Sequence, residues 1–278
     1  MDNPSAKLPI GVFDSGIGGI SVLAEIIKIL PYEEFVYFAD TLNAPYGDKP
    51  EDVVRALSLK AAEFLSSIGI KCLVVACNTA TGAAINEIRR MCAFPVVGME
   101  PAVKPAVELA LNGKILVMAT PLTLKSKKFN ELIRHYKHRS EIVPLPCPGL
   151  VEIIEQGHTQ GREIEAYLSH LFLSIDKEDI STVVLGCTHY ILIKKEFVRV
   201  LGSKISIIDG NYGTARHTRT ILQKEQLLNN GVEEKPKTHL KALVKFYISG
   251  NEKEAVRRCR QLLQNEGIVC EPEFSHCG

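Results

Sequence analysis

Two cysteines stand at equivalent places in two similar stretches of this chain. Val74-Val75-Ala76-Cys77-Asn78-Thr79-Ala80-Thr81 and Val183-Val184-Leu185-Gly186-Cys187-Thr188-His189-Tyr190 share one plan. Each begins as an apolar run bounded by turn residues, the pattern of a buried parallel strand. Each then places one cysteine where the strand should stop. Hydrogen-bonding side chains follow at once, Asn78 and Thr79 in the first stretch, Thr188 and His189 in the second. Ligands of open α/β sheets sit beyond the carboxyl ends of strands. Backbone N–H groups and helix starts there can lower a thiol's pKa toward neutrality. A pocket flanked by sulfur on two sides suits one chemistry. One thiolate removes a proton from a carbon acid, a thiol delivers another from the opposite face, and the stereocentre inverts.

A third strand end belongs with these two. Residues 10–13 read as a short apolar strand, and Asp14-Ser15-Gly16-Ile17-Gly18-Gly19 is the turn leading to a helix over 21–30. The glycines are not a dinucleotide fingerprint, because Ser21 stands where G-x-G-x-x-G needs its last glycine. They are expected to let the backbone turn tightly and bring N–H groups toward a small anion such as a carboxylate. Residues 34–39 form a second strand ending at Asp40, and Pro45, Tyr46 and Gly47 close the loop after it.

The remaining elements alternate in the same way. A helix opens at Pro50-Glu51-Asp52 and closes at Gly69, and another covers 81–92 after the Cys77 strand. Strand 94–98 and helix 101–111 follow, then strand 114–119, which ends at Thr120. A long helix running to residue 136, a short strand at 141–144 and helices over 150–156 and 163–175 come next. After the Cys187 strand a helix spans 190–201 and a strand 204–208. An amphipathic stretch at 211–230, a polar connector at 233–239, a strand at 240–248 and a helix at 252–265 complete the reading. Strands alternating with helices mean an α/β fold with parallel sheets flanked by helices. Two similar runs, each with a cysteine-tipped strand, predict two pseudo-equivalent domains. The first would hold 1–98 plus 210–278 and the second 99–209, with the site in the cleft between them.

Composition narrows the partners. With 278 residues, 46% hydrophobic and 23% charged, the chain can build a sizeable core. The 33 basic and 32 acidic residues nearly cancel, and tryptophan is absent, so no nucleic-acid partner is expected. The first nine residues show no secretory signal and no long apolar run suggests a membrane span, so a cytoplasmic protein with reduced thiols is expected. None of the eight cysteines forms a C-x-x-C pair, and a metal site on Cys187 and His189 would have unusual spacing, so no metal is expected. Cys72 and Cys92 read as small hydrophobes; Cys259, Cys270 and Cys277 carry no functional reading.

These stretches resemble the cofactor-independent aspartate/glutamate racemases. The resemblance lies in Val12 through Gly19, Asp40-Thr41 with Pro45-Tyr46-Gly47, Ala76-Cys77-Asn78-Thr79-Ala80 and Gly186-Cys187-Thr188-His189-Tyr190. Looser matches are Thr120-Pro121-Leu122-Thr123 with Ser126, Cys147-Pro148 through Glu155, and Phe246-Tyr247-Ile248-Ser249-Gly250. The resemblance implies an isomerase that interconverts L- and D-glutamate and supplies D-glutamate for peptidoglycan, with no pyridoxal phosphate or other cofactor. It implies that Cys77 and Cys187 are the acid/base thiols. Asp14, His189 and, with less support, Glu155 would handle protons beside them. Asp14, Ser15, Pro45, Tyr46, Gly47, Asn78, Thr79, Thr120, Thr188 and His189 would bind the substrate. The family often forms homodimers, so a homodimer is among the expected states. Ala119 and Glu152 depart from the family's usual Gly and Pro, and Glu152 adds charge near Glu155.

Other readings stay open on sequence. A racemase of aspartate or another acidic amino acid differs only in pocket length. An amino-acid sensor would need no paired thiols, and a thiol redox enzyme would need its cysteines close enough to bridge. His189 also reads as a neutral residue capping a strand end.

Overall fold

The apolar runs become strands buried on both faces, and the helices between them supply the cover. The computed structural model describes residues 4–109, 113–173, 175–229, 240–250 and 252–274. In order the chain forms β1 (Ile10–Asp14), α1 (Ile20–Ile29), β2 (Phe35–Ala39), α2 (Glu51–Ile68), β3 (Cys72–Val75), α3 (Asn78–Met91) and β4 (Val96–Gly98). It continues with α4 (Val103–Leu109), β5 (Lys114–Ala119), α5 (Pro121–Lys125), α6 (Lys127–Tyr136), β6 (Ile142–Pro146), α7 (Leu150–Glu155) and α8 (Arg162–Leu171). Then come β7 (Ile180–Leu185), α9 (Lys194–Leu201), β8 (Ser206–Asp209), α10 (Asn211–Lys224), β9 (Leu240–Ile248), α11 (Glu252–Asn265) and β10 (Ile268–Phe274). The expected connector at 233–239 and Cys277 lie outside the described residues.

The strands make two sheets, ordered β10-β9-β2-β1-β3-β4 and β6-β5-β7-β8, and their pairings are parallel. Neighbouring residues on one strand serve different cores. Val12 enters the cluster with Ile20, Leu23 and Val74, whereas Phe13 joins Leu65, Val75 and Ile85 across the sheet. In the second sheet Val183 and Leu185 pack with Leu150 and Ile154, and Val184 packs with Val103 and Phe129. Burial on both faces is why these strands read as unbroken apolar runs.

Topology places the site. In the first sheet the chain leaves β1 toward β2 on one side and reaches β3 on the other. In the second it does the same around β5, with β6 on one side and β7 on the other. Such reversals leave a crevice at the strands' carboxyl ends. The four strand ends concerned carry Asp14, Cys77, Thr120 and Cys187.

Several boundaries differ from expectation. The helix expected at 81–92 begins at Asn78, because the Cys77 thiol accepts the Ala80 N–H at 3.4 Å and caps its first turn. The helix expected to run to 136 breaks at Ser126, whose hydroxyl accepts the Phe129 N–H and starts α6 anew. Residues 188–193 form a tight 3-10 turn, and α9 starts only at Lys194. The helix expected over 163–175 ends at Leu171. Beyond the last helix read from the sequence the chain adds β10, a sheet-edge strand that tolerates Pro272 because an edge has unpaired positions.

Candidate active site

Each half of the site is set by a strand end and the turn after it. β3 delivers Cys77, and α3 starts at once with Asn78 and Thr79. β7 delivers Cys187 two residues past its end, and the 3-10 turn fixes Thr188 and His189. Both cysteines border one small cavity of about 10 Å³, together with Ser15, Pro45, Tyr46, Gly47, Asn78, Thr79, Thr120, Val151, Thr188 and His189. Eleven of these twelve were expected from the sequence. Val151, on α7, was not; an apolar residue inside a helix carries no chemical signal. A groove of about 980 Å³ between α1, α9, α10 and α11 holds neither thiol.

Asp14 and Glu155 do not line the cavity. Both stand behind residues that do. The fully buried Asp14 accepts the Ser15 N–H at 2.8 Å and the Thr188 hydroxyl at 2.9 Å, which ties the β1 turn to the β7 turn. Each Asp14 oxygen thus has a protein donor, and Ser15 and Thr188 stand between the carboxylate and the cavity. Glu155 accepts from His189 Nε2 at 2.5 Å and from the Ile17 N–H at 3.0 Å. The small anion expected at the glycine turn is therefore the protein's own carboxylate.

The glycines earn a different explanation as well. A Cβ at Gly18 would come within 2.6 Å of Thr188 Oγ1 and 2.7 Å of His189 N, and one at Gly16 within 2.9 Å of His189 Nε2. The turn is glycine-rich because the two halves touch there. The Tyr46 loop is held by Asp40, whose carboxylate accepts from Tyr46 at 2.6 Å, Asn43 at 3.0 Å and Ser249 at 2.6 Å. Thr79, Thr120 and Thr123 share a ring of hydroxyl bonds of 2.8–3.0 Å that also joins the halves.

A continuous chain of polar contacts connects the two sulfurs. Cys77 donates to the Ser15 hydroxyl at 3.6 Å, and Ser15 lies 3.5 Å from Asp14 Oδ1. From Asp14 the chain passes through Thr188 to His189 Nδ1, 3.4 Å from the Thr188 hydroxyl and 3.9 Å from Cys187 Sγ. Asn78 stands apart from it. Only 4% exposed, its side-chain nitrogen and oxygen have no hydrogen-bond partner among the described residues.

Burial pushes the Cys77 thiol up to about 12, Asp14 adding to the shift and the Ala80 N–H and Ser15 opposing it. Burial also raises the Asp14 carboxyl, against the pull of His189 and Thr188. For His189 burial disfavours the charge, but bonds to Cys187 and Glu155 overcome it and hold the imidazole well above its ordinary range. For Glu155 burial likewise disfavours ionisation, and His189, the Ile17 N–H and Arg258 outweigh it and lower its pKa. His189 and Glu155 thus favour each other's charged form directly behind Cys187.

Two parallel sheets with reversals facing one thiol-flanked cavity define an α/β protein of racemase architecture. The model of the Asp/Glu/hydantoin racemases matches residues 24–218. The glutamate racemase of Clostridium novyi is 51% identical over 265 residues, covering 95% of this chain and 98% of that protein. The chain belongs to this racemase family. Solved structures agree in shape: the Francisella tularensis glutamate racemase in complex with D-glutamate has a TM-score of 0.80 at 27% identity, covering 97% of this chain and 98% of the other. The Escherichia coli glutamate racemase, in complex with L-glutamate and the activator UDP-MurNAc-Ala, gives 0.80 at 28%, covering 98% and 100%. No metal cluster of His, Cys, Asp and Glu, and no helix long and apolar enough to cross a membrane, occurs among the described residues.

Proposed function

We propose that this chain interconverts L- and D-glutamate, with Cys77 and Cys187 as the two acid/base groups. The observation that carries the proposal is that both thiols border one buried cavity, each from a different sheet. The relatives' names and the glutamate in the neighbouring structures support the substrate. Residues 1–98 with 210–278 and residues 99–209 act as two domains that close over it, and a homodimer fits the family. The product serves peptidoglycan synthesis in the cytoplasm, a reducing compartment that keeps both cysteines as thiols.

The geometry performs the reaction as follows. In the substrate-free state Cys77 is a neutral thiol, ready to donate. His189 stands beside Cys187, placed to give that sulfur a proton or to take one. The substrate's ammonium, enclosed near two sulfurs, favours a thiolate on whichever side removes the α-proton. The carbanion then receives a proton from the opposite thiol. No electron sink delocalises its charge in this scheme, so fixed dipoles in a water-excluded cavity must stabilise it. The unpartnered Asn78 amide and the Ser15 hydroxyl, only 3.5 Å from Asp14, are the nearest donors for the two carboxylates, while Thr79, Thr120 and Thr188 must first exchange their present hydroxyl partners.

The test is proton NMR of L-glutamate and, separately, D-glutamate in D2O, with Cys77→Ala and Cys187→Ala alongside. The proposal expects loss of the α-proton signal and appearance of the opposite enantiomer, with racemisation abolished in either variant. Exchange with aspartate instead of glutamate would reassign the substrate. Binding without exchange of either would make the cavity a sensor.

A further inference from the structure

Arg258 lies on α11, in a stretch that the sequence presents only as a basic-faced helix. Its guanidinium crosses to the other half of the molecule. Nη1 donates to the Glu155 carbonyl at 2.5 Å and Nη2 to the Ile154 carbonyl at 2.9 Å. These carbonyls lie in the last turn of α7, and the Ile154 carbonyl also accepts the Gly157 N–H at 3.0 Å. A fork of two parallel donors fixes both the position and the rotation of that helix end. The positive charge also acts on the Glu155 carboxylate, which in turn holds His189. His189 is the neighbour of Cys187.

The chain of contact runs Arg258, Glu155, His189, Cys187, and it begins on an element from the opposite sheet. A second tie acts on the same carboxylate: the Ile17 N–H, from the β1 turn, donates to it at 3.0 Å. Glu155 is therefore gripped by the first half of the molecule at both its backbone and its side chain. We propose that Arg258 is a positioning residue, which through Glu155 sets the orientation and charge of His189 behind Cys187 whenever the two halves are closed. The catalytic consequence rests on the two-thiol reading above; the effect on His189 does not.

The groups facing Glu155 and His189 are Asp14, Cys187, Thr188, Ile17 N–H and Arg258, with Cys259 and Glu152 farther out. Of these, Arg258 is the fixed cation. Its removal leaves the Glu155 carboxylate harder to ionise and less firmly aimed, and His189 then releases its proton at lower pH. Because enantiomers are equal in energy, kcat/KM must be the same in both directions, so one pH profile reports on the free enzyme for both.

The experiment compares the full chain with Arg258→Met, which keeps the stem, and Arg258→Lys, which keeps the charge. The 15N shifts of the His189 ring are titrated without substrate, and kcat/KM for glutamate is measured across pH. In Arg258→Met the His189 titration should move down by roughly half a pH unit or more. The alkaline limb of kcat/KM should move with it, and kcat should fall about tenfold while KM changes little. Arg258→Lys should recover most of the shift and only part of the rate, since an ammonium cannot make the fork. An unmoved His189 titration in Arg258→Met would overturn the proposal, as would a rate loss with an unchanged pH profile. Should Arg258→Met not fold, a His189 titration identical in Arg258→Gln and wild type overturns it equally. If the wild type racemises nothing, the two-thiol reading fails while the His189 titration still decides the role of Arg258.

Discussion

Asn78 offers a prediction in which stability and activity move in opposite directions. It is the first residue of α3, 4% exposed, and neither polar atom of its side chain has a partner among the described residues. A buried unsatisfied amide destabilises a fold by about 1–3 kcal/mol. Asn78→Leu replaces it with a side chain of similar shape that forms helix well. At about 2–4 °C per kcal/mol for a chain of this size class, the substrate-free variant should melt about 3 °C or more above wild type. Function should suffer in the opposite sense. Two lost hydrogen bonds to a charged substrate, at about 1.5–3 kcal/mol each, correspond to a fall of about 10²- to 10⁴-fold in kcat/KM. Thermal denaturation with and without D-glutamate checks both halves. Glutamate should raise the wild-type midpoint and leave that of the variant nearly unmoved. A variant that melts lower than wild type and still racemises at a comparable rate would refute the reasoning, and Asn78 would be a packing residue.

Two further predictions concern the scaffold. Lys71 and Glu33 form a fully buried ion pair, which the Lys71 ammonium extends to the Ala6 carbonyl, so Lys71→Met should cost about 3–5 kcal/mol in chemical denaturation by stranding Glu33. A loss below about 1 kcal/mol would mean Glu33 is neutral in the fold. Burial pushes Cys72 and Cys77 up to about 12 from the ordinary value of 9.0, and it raises Cys147 and Cys259 as well. A thiol raised in the fold ionises first in the unfolded chain, so its stabilisation is complete below pH 9.0 and is lost as pH rises toward the folded value. Denaturation midpoints should thus fall steadily above that pH, each thiol contributing up to about 1.4 kcal/mol per unit; a flat profile to pH 10.5 (roughly midway through the window) would contradict the burial argument.

The α/β class, the parallel strands and the cysteine-tipped ends were legible because two-face burial writes itself as apolar runs. What the sequence could not show lies one layer out. Gly16, Gly18 and Gly19 read as an anion turn; at Gly16 and Gly18 a side chain would meet His189 and Thr188 from the other sheet, and at Gly19 it would meet Asp14. Asp14 read as a proton handler and substrate contact and Glu155 as a proton handler; both stand behind the cavity lining, hydrogen-bonded to protein donors. Val151 and Arg258 were invisible for opposite reasons. An apolar helix residue advertises nothing, and one arginine among several on α11 is distinguished only by what it reaches across the fold. Strand β10 was not assigned from the sequence; it contains Pro272, which a sheet accommodates at its edge.

The central claim is that two different thiols serve the two faces of one carbon. Early-time deuterium incorporation tests it most directly: L-glutamate is turned over in D2O to a few per cent conversion, and both enantiomers are then separated and analysed by mass. Two thiols predict deuterium at the α-carbon of the D-product and protium retained in the recovered L-substrate. Deuterium appearing equally in both from the start would mean a single base that exchanges with solvent, and the two-thiol account would fall.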